Sequence, residues 1–469
     1  MRNDRTIKEK MRTTTIKKNK KNEIDMLNGP LFKKILAVAL PLAAISILQQ
    51  LFNAADVAVV GRFASGNALA AVGANTPIVN VFLTLFTGLA TGSNVAISTH
   101  IGANKKENIS AAVRTSFSLS LICAVLVVIV GQILAKPLLV MVNTPEEVLD
   151  QAVIYLRIYF FAMMFAVIYN FASAILRSKG DTRRPLYCLI ASGILNIILN
   201  LVFVIIFHLD VVGVAIATLI SNIVCAGITV LILVKEEEPF RINLKNLKID
   251  KANLSYVLKI GLPAGIQGML FSISNIIIQS GINSFGTDCI SGNTAAMNYE
   301  FMAYFIINAF SQTTTTFVSQ NYGANNYKRC RKIFWMTLAM GMVGTAVLSS
   351  CFYFGAGFWL RFFTTSEDVI AFAMVRMRWV VLLELLTGTY EVSAGAMRGM
   401  GVSLLPSVIT FMGTFVFRII WVNTLFKTYN TITGLIIVYP ISWVLIGITM
   451  MTAYFIIRKK KAPSAASAA

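Results

Sequence analysis

Three polar side chains interrupt an otherwise apolar stretch near the start of the chain. Gln49, Asn53 and Asp56 lie four and then three residues apart within residues 40–62, a segment apolar enough to cross a bilayer. That spacing places all three on one face of a helix. A carboxylate inside a membrane costs roughly 2.5–3.5 kcal/mol on insertion scales, so it is rare unless it has a function. We therefore predict that Asp56 handles an ion in a transporter; the structural alternative is an acid paired with a neighbouring Arg or amide.

Two later apolar segments carry the partners that such an acid needs. Ser192, Asn196 and Asn200 recur at every fourth position of one segment, and Thr218 lies in the next. A carboxylate with amide and hydroxyl oxygens suits Na⁺, and the carboxylate alone suffices for H⁺. The alternative is that these polar groups only join helices, each hydrogen bond contributing about 0.6 kcal/mol on average. Asp56 with Asn196, Asn200 and Thr218 is the predicted cation-coupling site.

The composition is that of a polytopic membrane protein. Of 469 residues, 56% are hydrophobic and 13% are charged, and apolar stretches recur along most of the chain. The six cysteines and two histidines never approach the spacing of a zinc, haem or iron–sulfur site, so no metal centre and no cofactor other than the coupling ion is expected. An integral-membrane enzyme would need clustered His, Cys or paired carboxylates near the headgroups, which the sequence does not offer.

The net charge of +20 predicts topology rather than nucleic-acid binding. Eleven of the 41 Lys and Arg residues lie in residues 1–34, a basic segment expected to contact anionic lipid headgroups. If the N-terminus is cytoplasmic, 33 of the 41 positive charges lie on the inner side and seven on the outer side. This excess predicts a multi-pass protein of the plasma membrane with both termini in the cytoplasm.

Twelve apolar stretches of about twenty residues predict an all-α membrane protein with twelve transmembrane helices. The predicted domains are a basic cytoplasmic tail (1–34), an N-terminal six-helix bundle (35–234), a cytoplasmic linker (235–256), a C-terminal six-helix bundle (257–457) and a C-terminal tail (458–469).

The two bundles are copies of one another. Gly102-Ala-Asn104 recurs as Gly323-Ala-Asn325, and Arg177-x-x-Gly180 recurs as Arg398-x-x-Gly401, each with an offset of 221 residues. Six helices per copy start both copies on the same side of the membrane. The repeats are therefore predicted to be parallel, with a central cavity between them that suits alternating access.

These motifs together resemble those of the multidrug and toxic compound extrusion (MATE) family. The matching features are Pro41 and Asp56 in the first helix, Gly-Ala-Asn after the second and eighth helices, and R-x-x-G followed by Pro after the fourth and tenth. The segment LNIILN in the fifth helix also fits. The resemblance covers residues 30–457 and implies a secondary antiporter that exports cationic, amphipathic compounds in exchange for Na⁺ or H⁺.

Carried over by position, the resemblance assigns the coupling cation to Asp56, Asn196 and Thr218. Pro41 removes a backbone donor near the start of the first helix, where a bend is expected. Two positions depart from the family pattern: some members have Asp at the position of Asn200, and some have Tyr at that of Phe52. Asp56 is then the only carboxylate in the membrane interior of the N-terminal half, and the choice between Na⁺ and H⁺ stays open.

The second half carries a different set of polar residues. Its positions equivalent to the cation site hold Ile278, Phe417, Trp421 and Tyr439. The predicted substrate-binding residues are Glu300, Glu384, Glu391 and Tyr304, because acids and aromatic rings suit a cationic amphiphile. The substrate is thus expected to be a small molecule, handled by a chain that acts as a monomer.

The alternative to substrate binding is that an arginine pairs with one of these acids inside the membrane. Glu384 and Glu391 are seven residues apart and are expected on one helix face. Arg418 is the alternative partner of one of them, as a buried structural pair. Glu300 has no evident partner inside the membrane, and Arg376 is expected at a helix end with its guanidinium reaching outward.

A flippase for lipid-linked sugars, from the wider superfamily, is the main rival function. Such a carrier handles an anionic pyrophosphate and should line its cavity with Arg and Lys. The interior ionisable groups here are mainly acids, and the two additional C-terminal helices that would favour a flippase are absent from the sequence. The residues therefore favour an exporter of cations.

Overall fold

Twelve long helical segments follow one another in the part of the chain that the computed structural model describes, residues 23–64 and 66–461. The N-terminal half contains α1 (Leu31–Phe63), α2 (Gly66–Gly102), α3 (Lys106–Met141), α4 (Glu146–Ser178), α5 (Arg183–Leu201) and α6 (Asp210–Val234). The C-terminal half contains α7 (Lys251–Asn283), α8 (Thr287–Gly323), α9 (Tyr327–Phe354), α10 (Glu367–Arg376 and Thr387–Gly399), α11 (Leu404–Tyr429) and α12 (Ile432–Lys461). The predicted all-α membrane architecture is confirmed.

Ten of these helices are long and apolar enough to cross a membrane. The exceptions are α8, which carries polar side chains along much of its length, and α10, which is interrupted. Between its two α-helical parts, α10 passes through a π-helical segment at Met377–Val381 and a 3-10 turn at Glu384–Leu386. Irregular backbone at membrane depth is tolerated where it is enclosed by protein or lines a cavity. Both exceptions lie beside the polar residues of the second half.

The structure differs from the predicted domain limits at the linker. Helix α7 begins at Lys251, inside the predicted linker 235–256, because Asp250 caps it by accepting the backbone N–H of Asn253 at 2.8 Å. Residues 1–22 of the predicted basic tail and residues 462–469 of the predicted C-terminal tail lie outside the described residues.

The halves meet where α2 crosses α7. A Cβ placed on Gly88 would overlap the backbone of Gly265, and one on Gly92 would overlap Val257 and Gly261. Glycine is required at such a crossing because only a missing side chain lets two helix backbones approach this closely.

The two copies of the Gly-Ala-Asn motif bring the N-terminal and C-terminal halves into contact at one end of the molecule. A Cβ on Gly102 would overlap the carbonyl of Gln320, and one on Gly323 would overlap the carbonyl of Thr99, so the ends of α2 and α8 cross without intervening side chains. The Asn of each motif adopts positive φ, 53° at Asn104 and 57° at Asn325, which ends each helix. We call this end, where α1 starts and α2 and α8 end, the sealed end.

Hydrogen bonds between the halves lie in the part of the bundle nearest the sealed end. Among the described residues, Arg177 Nη1 donates to Gln312 Oε1 at 2.6 Å, and Gln320 Nε2 donates to the carbonyl of Ser178 at 2.6 Å. Buried side chains cannot exchange such bonds for water, so these contacts hold the halves together here.

Helix α1 belongs to both halves. Its first part, from Leu31 to Ala43, packs into the core of the C-terminal half, whereas Val59 and Val60 pack into the core of the N-terminal half. The helix is continuous through Pro41, so the bend expected there stays a prediction. One continuous helix therefore links the C-terminal part of α1, where Asp56 lies, to the sealed end.

The glycine crossing gives a direct test of this packing. Gly88→Ala should lower the thermal unfolding midpoint in detergent, since the added methyl group overlaps backbone and overpacking costs about 1–3 kcal/mol. Gly73→Ala on the same helix is the matched control, because nothing lies within 4 Å of its Cβ position. Equal midpoints for the two variants would contradict the close crossing.

Candidate cation and substrate sites

The predicted cation site is assembled from α1, α5 and α6. Asp56 is half-buried on α1, and its Oδ1 accepts a hydrogen bond from Asn200 Nδ2 of α5 at 2.5 Å. Asn200 Nδ2 also lies 3.4 Å from Asn196 Oδ1, and Asn196 Nδ2 lies 3.5 Å from the hydroxyl of Thr218 on α6. The Thr218 hydroxyl interacts with the carboxylate as well. The structure thus brings together all four residues that the sequence grouped.

One oxygen in this group has no donor. Asn200 is fully buried, and its Oδ1 accepts no hydrogen bond, although a buried amide oxygen normally has a partner. It belongs to the side chain that also contacts the Asp56 carboxylate. An oxygen-rich site with an unused acceptor is the chemistry that a hard cation prefers.

Local geometry explains why α5 presents its polar stripe to Asp56. The ring of Phe52 lies directly over Gly193, where a Cβ would overlap it, so α1 rests against α5 one turn before the acid. Immediately after Asn200 the helix widens into a π-helical segment, Val202–Ile206. Such segments are frequent at functional sites because they re-aim nearby side chains.

Two aromatic residues near the acid were not predicted. Tyr155 and Tyr159 of α4 have ring centroids 5.7 Å apart, and both lie close enough to Asp56 to feel its charge. Their spacing of four residues places them on one helix face, which is the signal that could have found them. They place two phenol rings in the neighbourhood of the acid.

The polar residues of the second half surround a separate cavity. The cavity is open on one side, and the volume accessible to water within it is about 50 Å³. Its wall comes entirely from the C-terminal half: Phe271, Asn275, Gln279, Ile282, Met297, Glu300, Phe301, Tyr304, Arg376, Glu384, Tyr390, Tyr439 and Trp443. Aromatic walls with a few charged groups are typical of sites for organic cations.

Glu300 and Arg376 correct two expectations. Arg376 Nε donates to Glu300 Oε2 at 2.6 Å, and Arg376 Nη1 donates to Asn293 Oδ1 at 2.7 Å. Arg376 is 3% exposed, so it is a buried partner rather than a group reaching outward from a helix end. Glu300 therefore has the membrane-interior partner that it was expected to lack. Helices α8 and α10 pack side by side, which brings the two groups together, and their pairing offsets part of the cost of burying each charge.

Arg418 is also placed differently from the expected pairing. It forms no ion pair with Glu384 or Glu391 among the described residues; its Nη1 donates to Asn275 Oδ1 at 2.9 Å. Its guanidinium carbon lies 4.3 Å from the ring centroid of Tyr439, within cation–π range. The expected direct pair of Arg418 with either acid is therefore not formed in this part of the structure, and an amide and an aromatic face contact the guanidinium instead.

The two acids of α10 have different surroundings. Glu384 lies in the 3-10 turn, lines the cavity and is 2% exposed, yet its Oε2 has no hydrogen-bond donor. Glu391 lies 3.5 Å from the hydroxyl of Tyr304 and does not line the cavity. The 3-10 turn breaks the regular spacing that placed both on one helix face. Glu300, Glu384 and Tyr304 share the cavity wall.

Comparison with known proteins identifies the family of this chain. The family model MatE matches residues 41–202 and again residues 263–423, so the match itself reports two copies of one unit. The matched residues make up more than half of the chain, and the chain therefore belongs to the MatE family. Its members are membrane transporters rather than enzymes.

Curated relatives match over most of their length. The chain is 27% identical over 377 residues to the probable multidrug resistance protein YoeA of Bacillus subtilis (strain 168), covering 79% of this chain and 81% of the relative. It is 21% identical over 413 residues to the multidrug export protein MepA of Staphylococcus aureus (strain MSSA476), covering 87% and 91%. These names describe the relatives. The matches do not favour the flippase alternative.

Solved structures share the fold. One, described as the outward-facing conformation of a multidrug resistance MATE family transporter of the MOP superfamily, superposes with a TM-score of 0.87 at 22% identity. It covers 94% of this chain and 98% of that one. A crystal structure of MATE in complex with MaD3S gives a TM-score of 0.86 at 23% identity with the same coverage.

The buried ion pair predicts an asymmetric mutational effect. Arg376→Leu should lower the thermal midpoint strongly, because it leaves Glu300 buried and uncompensated, at a cost of about 3–5 kcal/mol. Arg378→Leu is the matched control, since that side chain is exposed on the same helix. Adding Glu300→Gln to Arg376→Leu should recover much of the loss. A midpoint for Arg376→Leu equal to that of Arg378→Leu would contradict the pairing.

Proposed function

We propose that this transporter is a secondary antiporter that exports cationic, amphipathic compounds in exchange for H⁺ or Na⁺. The observation that carries the proposal is the Asp56 carboxylate held by Asn200 inside the membrane-spanning bundle. A buried acid with amide and hydroxyl neighbours binds a cation reversibly, which coupling requires. Relatives described as multidrug resistance and multidrug export proteins support the export of small molecules.

The coupling cation acts through α1. When H⁺ or Na⁺ reaches Asp56, the carboxylate charge is neutralised and its bond with Asn200 Nδ2 weakens or is replaced by a cation contact. Because the other end of α1 is packed in the C-terminal half, this local change alters the balance between the two halves. Moving one charge across about 100 mV supplies roughly 2.3 kcal/mol, to which the ion gradient adds.

The substrate acts in the second half. Glu384 offers an unused carboxylate oxygen to an ammonium or similar donor, while Tyr304 and the neighbouring rings accept the apolar part. Glu300 forms an ion pair with Arg376, so its role is to hold the cavity wall in place rather than to bind the substrate. Glu391 is placed to act on the substrate through the hydroxyl of Tyr304. Cation and substrate thus occupy different halves.

The proposed orientation places the sealed end in the cytoplasm. In this orientation 33 of the 41 positive charges, those of the basic N-terminal residues included, lie on the cytoplasmic side, as the positive-inside rule requires. In this orientation the structure is closed towards the cytoplasm. A plasma-membrane location, contact of the basic N-terminal residues with anionic lipid, and action as a monomer complete the proposal.

Asp56→Asn should abolish ion-driven efflux, because the amide neither takes up H⁺ nor supplies charge to Na⁺. The measurement is export of a fluorescent cationic dye from vesicles containing the purified protein. Asp150→Asn, an exposed acid at the start of α4, is the matched control and should transport normally. Undiminished efflux by a well-expressed Asp56→Asn protein would exclude this site.

The coupling ion is identified by imposing one gradient at a time on the same vesicles. We expect a Na⁺ gradient or a proton gradient, but not both equally, to accelerate dye export, since the site holds one carboxylate. Stimulation by neither gradient would overturn the antiporter proposal. A protein-free vesicle preparation controls for passive dye movement.

Glu384→Gln should weaken binding of the cationic dye by about tenfold or more, because a hydrogen bond to a charged group contributes about 1.5–3 kcal/mol. Fluorescence titration of the detergent-purified protein measures this affinity. Glu367→Gln, an exposed acid on the same helix, is the control. Equal dye affinity for both variants would remove Glu384 from the substrate site.

A further inference from the structure

Residues 23–30 cross the sealed end before α1 begins, and we call them the strap. The strap is fixed first to the C-terminal half. Met26 is 1% exposed and belongs to the core of that half, and its carbonyl accepts from Asn321 Nδ2 at 3.1 Å and Arg329 Nε at 3.3 Å. Arg329 Nη2 also donates to the carbonyls of Asn28 and Gly29 at 3.0 Å. One buried side chain and one guanidinium anchor the strap here.

The other end of the strap is fixed to the N-terminal half. Glu23 Oε1 accepts from Lys179 Nζ at 2.9 Å. Lys179 is almost completely buried and also donates to Glu236 Oε2 at 2.7 Å, while Arg184 Nη1 donates to Glu236 Oε1 at 2.6 Å. Burial alone would raise the pKa of Glu236, but Lys179 and Arg184 hold it below its ordinary value. Glu23 therefore adds a second carboxylate to the ion pairs that Glu236 forms with Lys179 and Arg184.

The backbone of the strap approaches the N-terminal half closely. Gly180 has a φ of 90°, and a Cβ there would lie 2.7 Å from the carbonyl oxygen of Ile24. Gly180 ends the Arg177-x-x-Gly motif of the first repeat. Its copy, Gly401, faces the hydroxyl of Tyr256 instead. The first copy of the motif thus leaves room for the strap.

The strap is internally braced and continuous with α1. Asp25 Oδ1 accepts the backbone N–H of Leu27 at 2.9 Å and of Asn28 at 3.2 Å. Lys34 Nζ, on the first turn of α1, donates to the carbonyls of Asp25 and Asn28 at 2.6 and 2.7 Å. A segment braced in this way moves with α1 rather than as a free tail, because its own hydrogen bonds and the start of the helix fix its shape.

We propose that the strap is a latch between the halves: it stabilises the arrangement that is closed at the sealed end, and it must leave the N-terminal half when that end opens. Met26 and the first part of α1 share the core of the C-terminal half, so the strap stays with that half. The contacts that break are those of Glu23 with Lys179 and of Ile24 with Gly180. This inference concerns the equilibrium between conformations and does not depend on the identity of substrate or coupling ion.

The test measures the separation of the halves at the sealed end. Spin labels are attached through Lys105→Cys and Lys328→Cys, two exposed positions on opposite halves, in a protein whose exposed Cys351 is replaced by Ser. Glu23→Gln should increase the population of the longer label distance several-fold, since it removes the charge that holds Lys179. Glu237→Gln, an exposed acid beside the cluster, should leave the distances unchanged.

A second variant probes the other anchor. Arg329→Gln removes three hydrogen bonds to the strap and should also increase the longer distance, whereas Arg331→Gln, exposed on the same helix, should not. Gel filtration and thermal midpoints confirm that each variant is folded. Unchanged distances in both Glu23→Gln and Arg329→Gln would overturn the latch. A change in Arg329→Gln alone would overturn the assignment of the breaking contacts to Glu23.

Discussion

The hydrogen bond between Asp56 and Asn200 is the contact on which the proposed transport cycle depends. A carboxylate within a membrane-spanning helix is stable only with a partner, and here the partner is an uncharged amide rather than Arg or Lys. An amide donates a hydrogen bond to the carboxylate without cancelling its charge, and this is the property that the proposed exchange of a cation requires. A guanidinium at the position of Asn200 would instead form a permanent ion pair with Asp56. A cation would then have to displace that guanidinium before it could bind the carboxylate.

In the second half, the acid Glu300 is paired with an arginine rather than with an amide. Glu300 is neutralised by Arg376, and the guanidinium of Arg418 rests on Tyr439. Glu384 lines the cavity, and its Oε2 is buried without a hydrogen-bond donor. The two copies have therefore diverged in their buried polar groups: the first holds an acid bonded to an amide, and the second holds charges that are mostly paired. In the proposed cycle the first is the ion site and the second is the substrate pocket. Helix α1, packed in both cores, connects the two.

Much of this organisation could be predicted from the sequence. The duplication and the twelve helices follow from repeated motifs and hydropathy, which can be read along the chain. The polar stripe of the fifth helix follows from its spacing, but its grouping with Asp56 and Thr218 also depended on the resemblance to the MATE family. The Gly-Ala-Asn repeat was visible in the sequence, and the structure shows which backbone approaches each of its glycines.

The failures have a common physical origin. The partners of Glu300, Arg376 and Arg418 depend on which helices are neighbours and at what depth, and a single sequence without aligned relatives does not report this. The 3-10 turn at Glu384 changes the helix phase, and no proline marks it in the sequence. The strap could not be predicted for another reason: residues 23–30 look like an ordinary polar segment before a helix, and no pattern in them indicates contacts with both halves.

The most direct test of the central claim is to count cations displaced from Asp56 when the substrate binds. Purified protein in detergent is loaded with H⁺ or radioactive sodium, and the amount released on addition of the cationic dye is measured. Because coupling between two sites is reciprocal, the account predicts release of about one cation per dye bound, and none from the Asp56→Asn protein. Equal release from the parent protein and from Asp56→Asn would contradict it.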